Sequence, residues 1–164
     1  LRHSSAASDV YKRQVLEGGG DYPANEYIIG SGHNALLCRY QSEKRVLSNT
    51  DQLSIEWAGT FKHYHSAMFR TIPVGKADPK HIKMHEACLE ALNNCEKKLV
   101  PGNTVGEVFD IHAKTFDDLG YNKSRMNACG YSLGSTFSPN GWTGQCSIQV
   151  IHIKLFQVIF FSCI

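Results

Sequence analysis

Glu56, His63 and His65 are the residues whose types and spacing best suit chemistry. A carboxylate and two imidazoles are the side chains most often used to move protons near neutral pH. All three fall in one stretch, residues 51–75, DQLSIEWAGTFKHYHSAMFRTIPVG. Leu53, Ile55 and Trp57 alternate with Ser54 and Glu56, a period of two that predicts a strand. Ala58-Gly59-Thr60 predicts a tight turn, with glycine supplying the permissive backbone. A second extended run, Phe61 to Val74, completes a predicted β-hairpin. Side chains two apart on a strand share a face. His63, His65, Ala67 and Phe69 are therefore expected on one side, and Tyr64, Ser66, Met68 and Arg70 on the other. With Glu56 on the opposite arm, the two histidines and the carboxylate can line a polar pocket. The competing reading is a histidine pair that is solvated or satisfied within the sheet.

Other constellations carry less. His81 and His85 stand one helical turn apart, yet no HExxH pattern accompanies them, so exposed or packing histidines are expected. Gly30-Ser31-Gly32 lacks the further glycine and the Lys-Ser/Thr end of a phosphate-binding loop. The six cysteines, at 38, 88, 95, 129, 146 and 163, show no CxxC or zinc-finger spacing. Cys88 and Cys95 read as small core residues, and a reducing, cytoplasmic setting is expected. A net charge of +2 gives no strong pull toward nucleic acid or an anionic membrane surface. No secretory signal is read in the chain.

The elements that must position these residues follow in order. Residues 1–17 show no clear period and are set aside as a non-native or disordered leader. Tyr27-Ile28-Ile29 is a short strand, and Ala35 to Cys38 a second apolar run. Residues 41–52 are polar and loop-like. Residues 79–99 predict a long helix, with Ile82, His85, Cys88, Leu89, Leu92, Cys95 and Leu99 recurring at helical spacing. Pro79 suits its first turn, and Lys97 and Lys98 suit its last. Thr104 to Leu119 predicts another helix. Thr104 with Glu107 forms a capping box, and Gly120 is the stop. Its buried stripe is expected at Val105, Val108, Ile111, His112, Ala113 and Phe116. After Trp142 the chain turns apolar and β-branched, and residues 143–164 are read as an atypical tail. Its polar residues and its length argue against a membrane span.

The hairpin resembles that of the pita-bread hydrolases, the family of creatinase, aminopeptidase P, prolidase, methionine aminopeptidase and ectoine hydrolase. Their hairpin reads as a hydrophobic strand, Asp-Ala-Gly, a turn, Tyr-x-Ser-Asp and a closing Arg-Thr. The matching pieces are Glu56-Ala58-Gly59, with Trp57 inserted, then Tyr64-His65-Ser66-Ala67 and Arg70-Thr71. Upstream, Gly32-His33-Asn34-Ala35 and Tyr40 match, and the family's cleft histidine falls at Arg39. Downstream, Asn127 to Gly134 is similar to the family's Gly-His-Gly-x-Gly segment, with Tyr131 at the histidine. The resemblance covers residues 18–142 and implies an α+β fold. That fold is a partial pita-bread domain, an antiparallel sheet with two long helices packed on one face. The chain is then a truncated fragment of a longer homodimeric protein.

The resemblance also implies site roles. The two metal-binding Asp positions fall at about Glu56 and at Ala67, and an alanine has no donor atom. Arg39 stays protonated, so it cannot be a general base, but its fork can hold a substrate carboxylate. Tyr131 is a poor metal ligand and a good donor to a developing oxyanion; its alternative is a buried tyrosine with a satisfied hydroxyl. The pattern is nearest the metal-free branch of ectoine hydrolase and creatinase. In that branch Glu56 is nucleophile or base on a C–N bond, assisted by His65 and Tyr131. Arg39, His63 and Arg70 bind a small-molecule or dipeptide-like substrate, and no metal is held. One alternative is an Xaa-Pro aminopeptidase or prolidase that uses manganese, cobalt or zinc through His63, His65 and Glu56. Another is a non-catalytic binding module.

Overall fold

The structure, a computed structural model, describes residues 4–24, 27–36, 46–131 and 135. The chain divides into two compact units. Among the described residues, the first holds those up to Ala77 together with Ser135, and the second holds Asp78 to Tyr131.

The first unit begins with helix α1, Ser4–Glu17. Its sequence shows no clear period and reads as a disordered or non-native leader, yet the structure makes it helical. The Gly19 and Gly20 amides close its end on the carbonyls of Leu16 and Val15. Strand β1, Ile28–Ser31, leads into a short 3-10 helix, Gly32–Leu36. Strands β2, Gln52–Phe61, and β3, Tyr64–Pro73, form the hairpin. The order β1-β2-β3 is antiparallel throughout. This puts β2 in the middle, and Ile55 is buried there with Ile29 and Tyr27.

The hairpin is present as expected, but its turn is not at Ala58-Gly59-Thr60. Those residues continue β2, and the turn is Lys62-His63, with φ of 48° and 65°. Both central residues thus sit in the left-handed region, as the favoured two-residue hairpin loop requires. Neither is glycine, at a cost of roughly 1–2 kcal/mol per residue. Nothing in the local sequence advertises a turn at Lys-His, whereas Gly59 does.

The second unit is a helix pair. Helix α2, Pro79–Lys98, starts with Asp78 as N-cap, its carboxylate accepting from the Lys80 amide at 2.7 Å, and with proline in the first turn. Its buried residues are Ala87, Ala91 and Cys95. The expected stripe fails at Ile82 and Leu89, which are exposed; the seam is built of small side chains instead. Helix α3, Val105–Asp118, packs on α2. Cys95, Val105, Val108, Phe109 and Cys129 form the core here. The capping box is present as predicted: the Thr104 amide donates to Glu107 at 2.6 Å, and the Glu107 amide to the Thr104 hydroxyl at 3.2 Å. These Thr104 contacts, the backbone one first, hold the Glu107 carboxyl below its usual range. Gly120, at φ +80°, ends α3. The Gly120 and Tyr121 amides return to the carbonyls of Asp117 and Phe116.

Candidate functional site

Residues paired across an antiparallel ladder share a face. Thr60 pairs with His65, Ala58 with Ala67, Glu56 with Phe69 and Ser54 with Thr71. On the other side of β2, Ile28 pairs with Glu56. One face therefore carries Ser54, Glu56, Ala58 and Thr60 beside His65, Ala67 and Phe69. Ser54 and Thr60 are buried, and Glu56 and His65 are half-buried. The expected parity of His65, Ala67 and Phe69 holds.

Glu56 stands at the middle of this face with Ala67 diagonal to it, one ladder pair away. His65 is farther. Four residues of strand separate the Thr60–His65 pair from Glu56, about 13 Å at 3.3 Å per residue. The two side chains expected to work together share a face without being neighbours.

The ring of His65 is also already occupied. The Ala24 amide donates to Nε2 at 2.9 Å, and Nδ1 lies 2.8 Å from the His63 carbonyl. An amide can only donate and a carbonyl only accept, so the ring carries its hydrogen on Nδ1. Its one N–H is given to the turn and its lone pair to the loop. That leaves no ring hydrogen for the substrate donation expected of His65.

His63 and Arg70 do not join this face. His63 is not on β3 but in the turn, where its amide donates to Asp21 Oδ2 at 2.9 Å; the misplaced turn is the reason. Arg70 is exposed on the opposite face from Glu56, and its Nη1 donates to the Phe69 carbonyl at 2.7 Å. Tyr131 is buried and belongs to the helix-pair unit. Arg39 lies outside the described residues, as do Tyr40, the Phe137–Asn140 segment and the tail 143–164. A cleft of about 730 Å³ opens beside the hairpin tip, between the end of α1 and Thr60, Tyr64 and His65.

A tether from the loop to the tip leaves no mark in the sequence. The Asp21 amide donates to the Thr60 carbonyl at 2.8 Å, and the Tyr27 hydroxyl to the Ala58 carbonyl at 3.4 Å. Gly20 permits the approach, since a Cβ there would meet the Thr60 oxygen at 2.7 Å. The bonds go to backbone atoms about 30 to 40 residues away, for which no side-chain pattern exists to be read.

A divalent metal wants three or more His, Cys, Asp or Glu donors around one point. Among the described residues no such group occurs. The Glu56 face offers one carboxylate, an imidazole whose nitrogens are both engaged, and the alanine pair Ala58–Ala67. That donor set does not fit a bridging metal at the hairpin. No helix among the described residues is long and apolar enough to cross a membrane.

Comparison with known proteins agrees with the fold. The chain is 26% identical over 149 residues to the ectoine hydrolase of Halomonas elongata, covering 85% of this chain and 37% of that protein. It is 28% identical over 116 residues to the Xaa-Pro dipeptidase of Pyrococcus furiosus, covering 71% and 33%. The solved prolidase of Pyrococcus furiosus superposes with a TM-score of 0.84 at 24% identity, over 94% of this chain and 44% of that one. The chain thus spans about a third of the length of the curated relatives it matches. These likenesses bear out the pita-bread resemblance drawn from Glu56-Ala58-Gly59 and Arg70-Thr71. Residues 1–149 match the sequence model of Metallopeptidase family M24, a span that includes α1, and the chain belongs to that family.

Proposed function

We propose that this chain is part of a hydrolase that cleaves a C–N bond in a small-molecule or dipeptide-like substrate, with Glu56 as its acid–base group and no metal bridging the hairpin. The single observation that carries this is the face around Glu56. It presents one carboxylate on the central strand, and an alanine pair one step along where a second acid would be needed. The likeness to an ectoine hydrolase supports the small-molecule hydrolase part of this reading.

Glu56 takes a proton from water as the water oxygen adds to the amide or amidine carbon. The same proton then passes to the leaving nitrogen as the C–N bond breaks. The attacking carboxylate itself is the other form of this chemistry. Tyr131 is proposed as donor to the developing oxyanion and Arg39 as holder of a substrate carboxylate, both on side-chain chemistry. His63 and Arg70 are not carried forward, since one lies in the turn and the other on the opposite face. A cytoplasmic homodimer is part of the proposal.

The test is Glu56→Gln in the intact protein, assayed on a cyclic amidine and on an Xaa-Pro dipeptide. Turnover should fall roughly 100-fold or more, and a chelator should leave the parent activity in place. Loss of activity on chelation, restored by manganese, would overturn the metal-free reading. The second reading, a metal-dependent Xaa-Pro dipeptidase, draws on the family and on the Pyrococcus relative. Stoichiometric manganese binding by calorimetry would bring it forward.

A further inference from the structure

We infer that His65 is a positioning residue: its imidazole pins the backbone at Ala24 to the hairpin tip and so holds the chain that leads into β1, where Ile28 pairs with Glu56. The role in hydrolysis rests on the function proposed above; the pinning does not.

The geometry runs from one end of the face to the other. His65 bonds the Ala24 amide and the His63 carbonyl in a single tautomer. Asp21 grips the same tip twice, through its amide to Thr60 and through its carboxylate to the His63 amide. Tyr27, 2% exposed, reaches the Ala58 carbonyl. The next residue, Ile28, enters β1 directly opposite Glu56. Ala24 is therefore tied beside His65, and Tyr27 and Ile28 are tied beside Glu56, three and four residues further along the chain. The Lys62-His63 turn adds an independent sign. Left-handed conformations at two residues other than glycine persist only where the surroundings over-determine them. The bonds at Asp21 and His65 supply that constraint. His65 acts on Glu56 through this segment, not by touching substrate.

Nitrogen-15 spectra of the intact protein should show a pyrrole-like Nδ1 and a pyridine-like Nε2 at His65; the opposite tautomer overturns the proposal. His65→Ala should speed exchange of the Ala24 amide proton roughly tenfold and move the carboxyl carbon resonance of Glu56. His65→Gln, whose side-chain oxygen can accept from Ala24, should restore both. A Glu56 resonance indifferent to His65→Ala, or no recovery in His65→Gln, sinks the idea. If His65→Ala does not fold, the tautomer and the glutamine variant still decide. None of these readouts needs a substrate, so a failed hydrolysis assay counts against the proposed function and not against the pinning.

Discussion

The hairpin unit and the helix pair each draw a histidine inward, and they treat it differently. His65 has a backbone partner for each ring nitrogen. His112, 4% exposed, has its Nδ1 buried without a hydrogen-bond partner. Its ring lies between those of Phe109 and Phe116, with centroids at 5.7 and 4.9 Å. In the sheet unit, loop amides and carbonyls come within reach of the side chain. In the helix pair, the backbone groups near His112 are spent on the helix itself, and aromatic packing is what the ring gains. A buried nitrogen left unpaired costs about 1–3 kcal/mol. The hairpin unit holds its histidine by polar ties; the helix pair packs its histidine into a core and leaves one nitrogen unpaired.

The comparison can be broken most easily at the helix pair. Phe109→Ala removes a core ring and should destabilise by about 3–5 kcal/mol in chemical denaturation; a cost under about 1 kcal/mol would mean that this core does not carry the unit. The pH dependence of His112 tests the flaw. Burial first, and then the nearby Arg125 guanidinium, hold the imidazole below its ordinary value of 6.5, against a weaker opposite pull from Asp117. The unfolded chain then binds the proton more readily than the folded one. The contribution of neutral His112 is complete above about pH 6.5 and is lost as pH falls below it. His112→Phe should flatten that slope in thermal melts.

Smaller effects sharpen both sides. Gly20→Ala forces a Cβ against the Thr60 carbonyl and should cost about 1–3 kcal/mol, with faster exchange at the Asp21 amide. Thr104→Ala removes the cap of α3 at about 1 kcal/mol, read as a lower melting midpoint. The smallest change is Thr60→Val. The Thr60 hydroxyl is buried with no partner, so an isostere should shift stability by less than about 0.5 kcal/mol or raise it slightly. A large loss there would reveal a partner for the hydroxyl and remove the contrast with His65.

Much of this was legible in the residues themselves. The capping box at Thr104 and Glu107, the stop at Gly120 and Pro79 in the first turn of α2 are local rules, satisfied by neighbours in sequence. The hairpin was legible through the alternation of Leu53, Ile55 and Trp57. Its turn was not, because Lys62 and His63 adopt φ values that their side chains do not favour and that distant Asp21 helps to hold. The α2 stripe misled because small Ala87 and Ala91 face inward while larger Ile82 and Leu89 do not. The same limit governs the site. Glu56 and His65 were rightly assigned one face, but their separation follows from the register, and the register from the turn.

One short contact shapes how the molecule is made. Tyr64 meets Ser135 in a single antiparallel bridge on the outer side of β3. The partners are roughly seventy residues apart in sequence, and such long-range closures come late and slowly. A ribosome finishing the hairpin therefore leaves Tyr64 waiting for this partner until the whole helix pair has been synthesised, an interval in which that end of β3 is open to a chaperone or a stray strand.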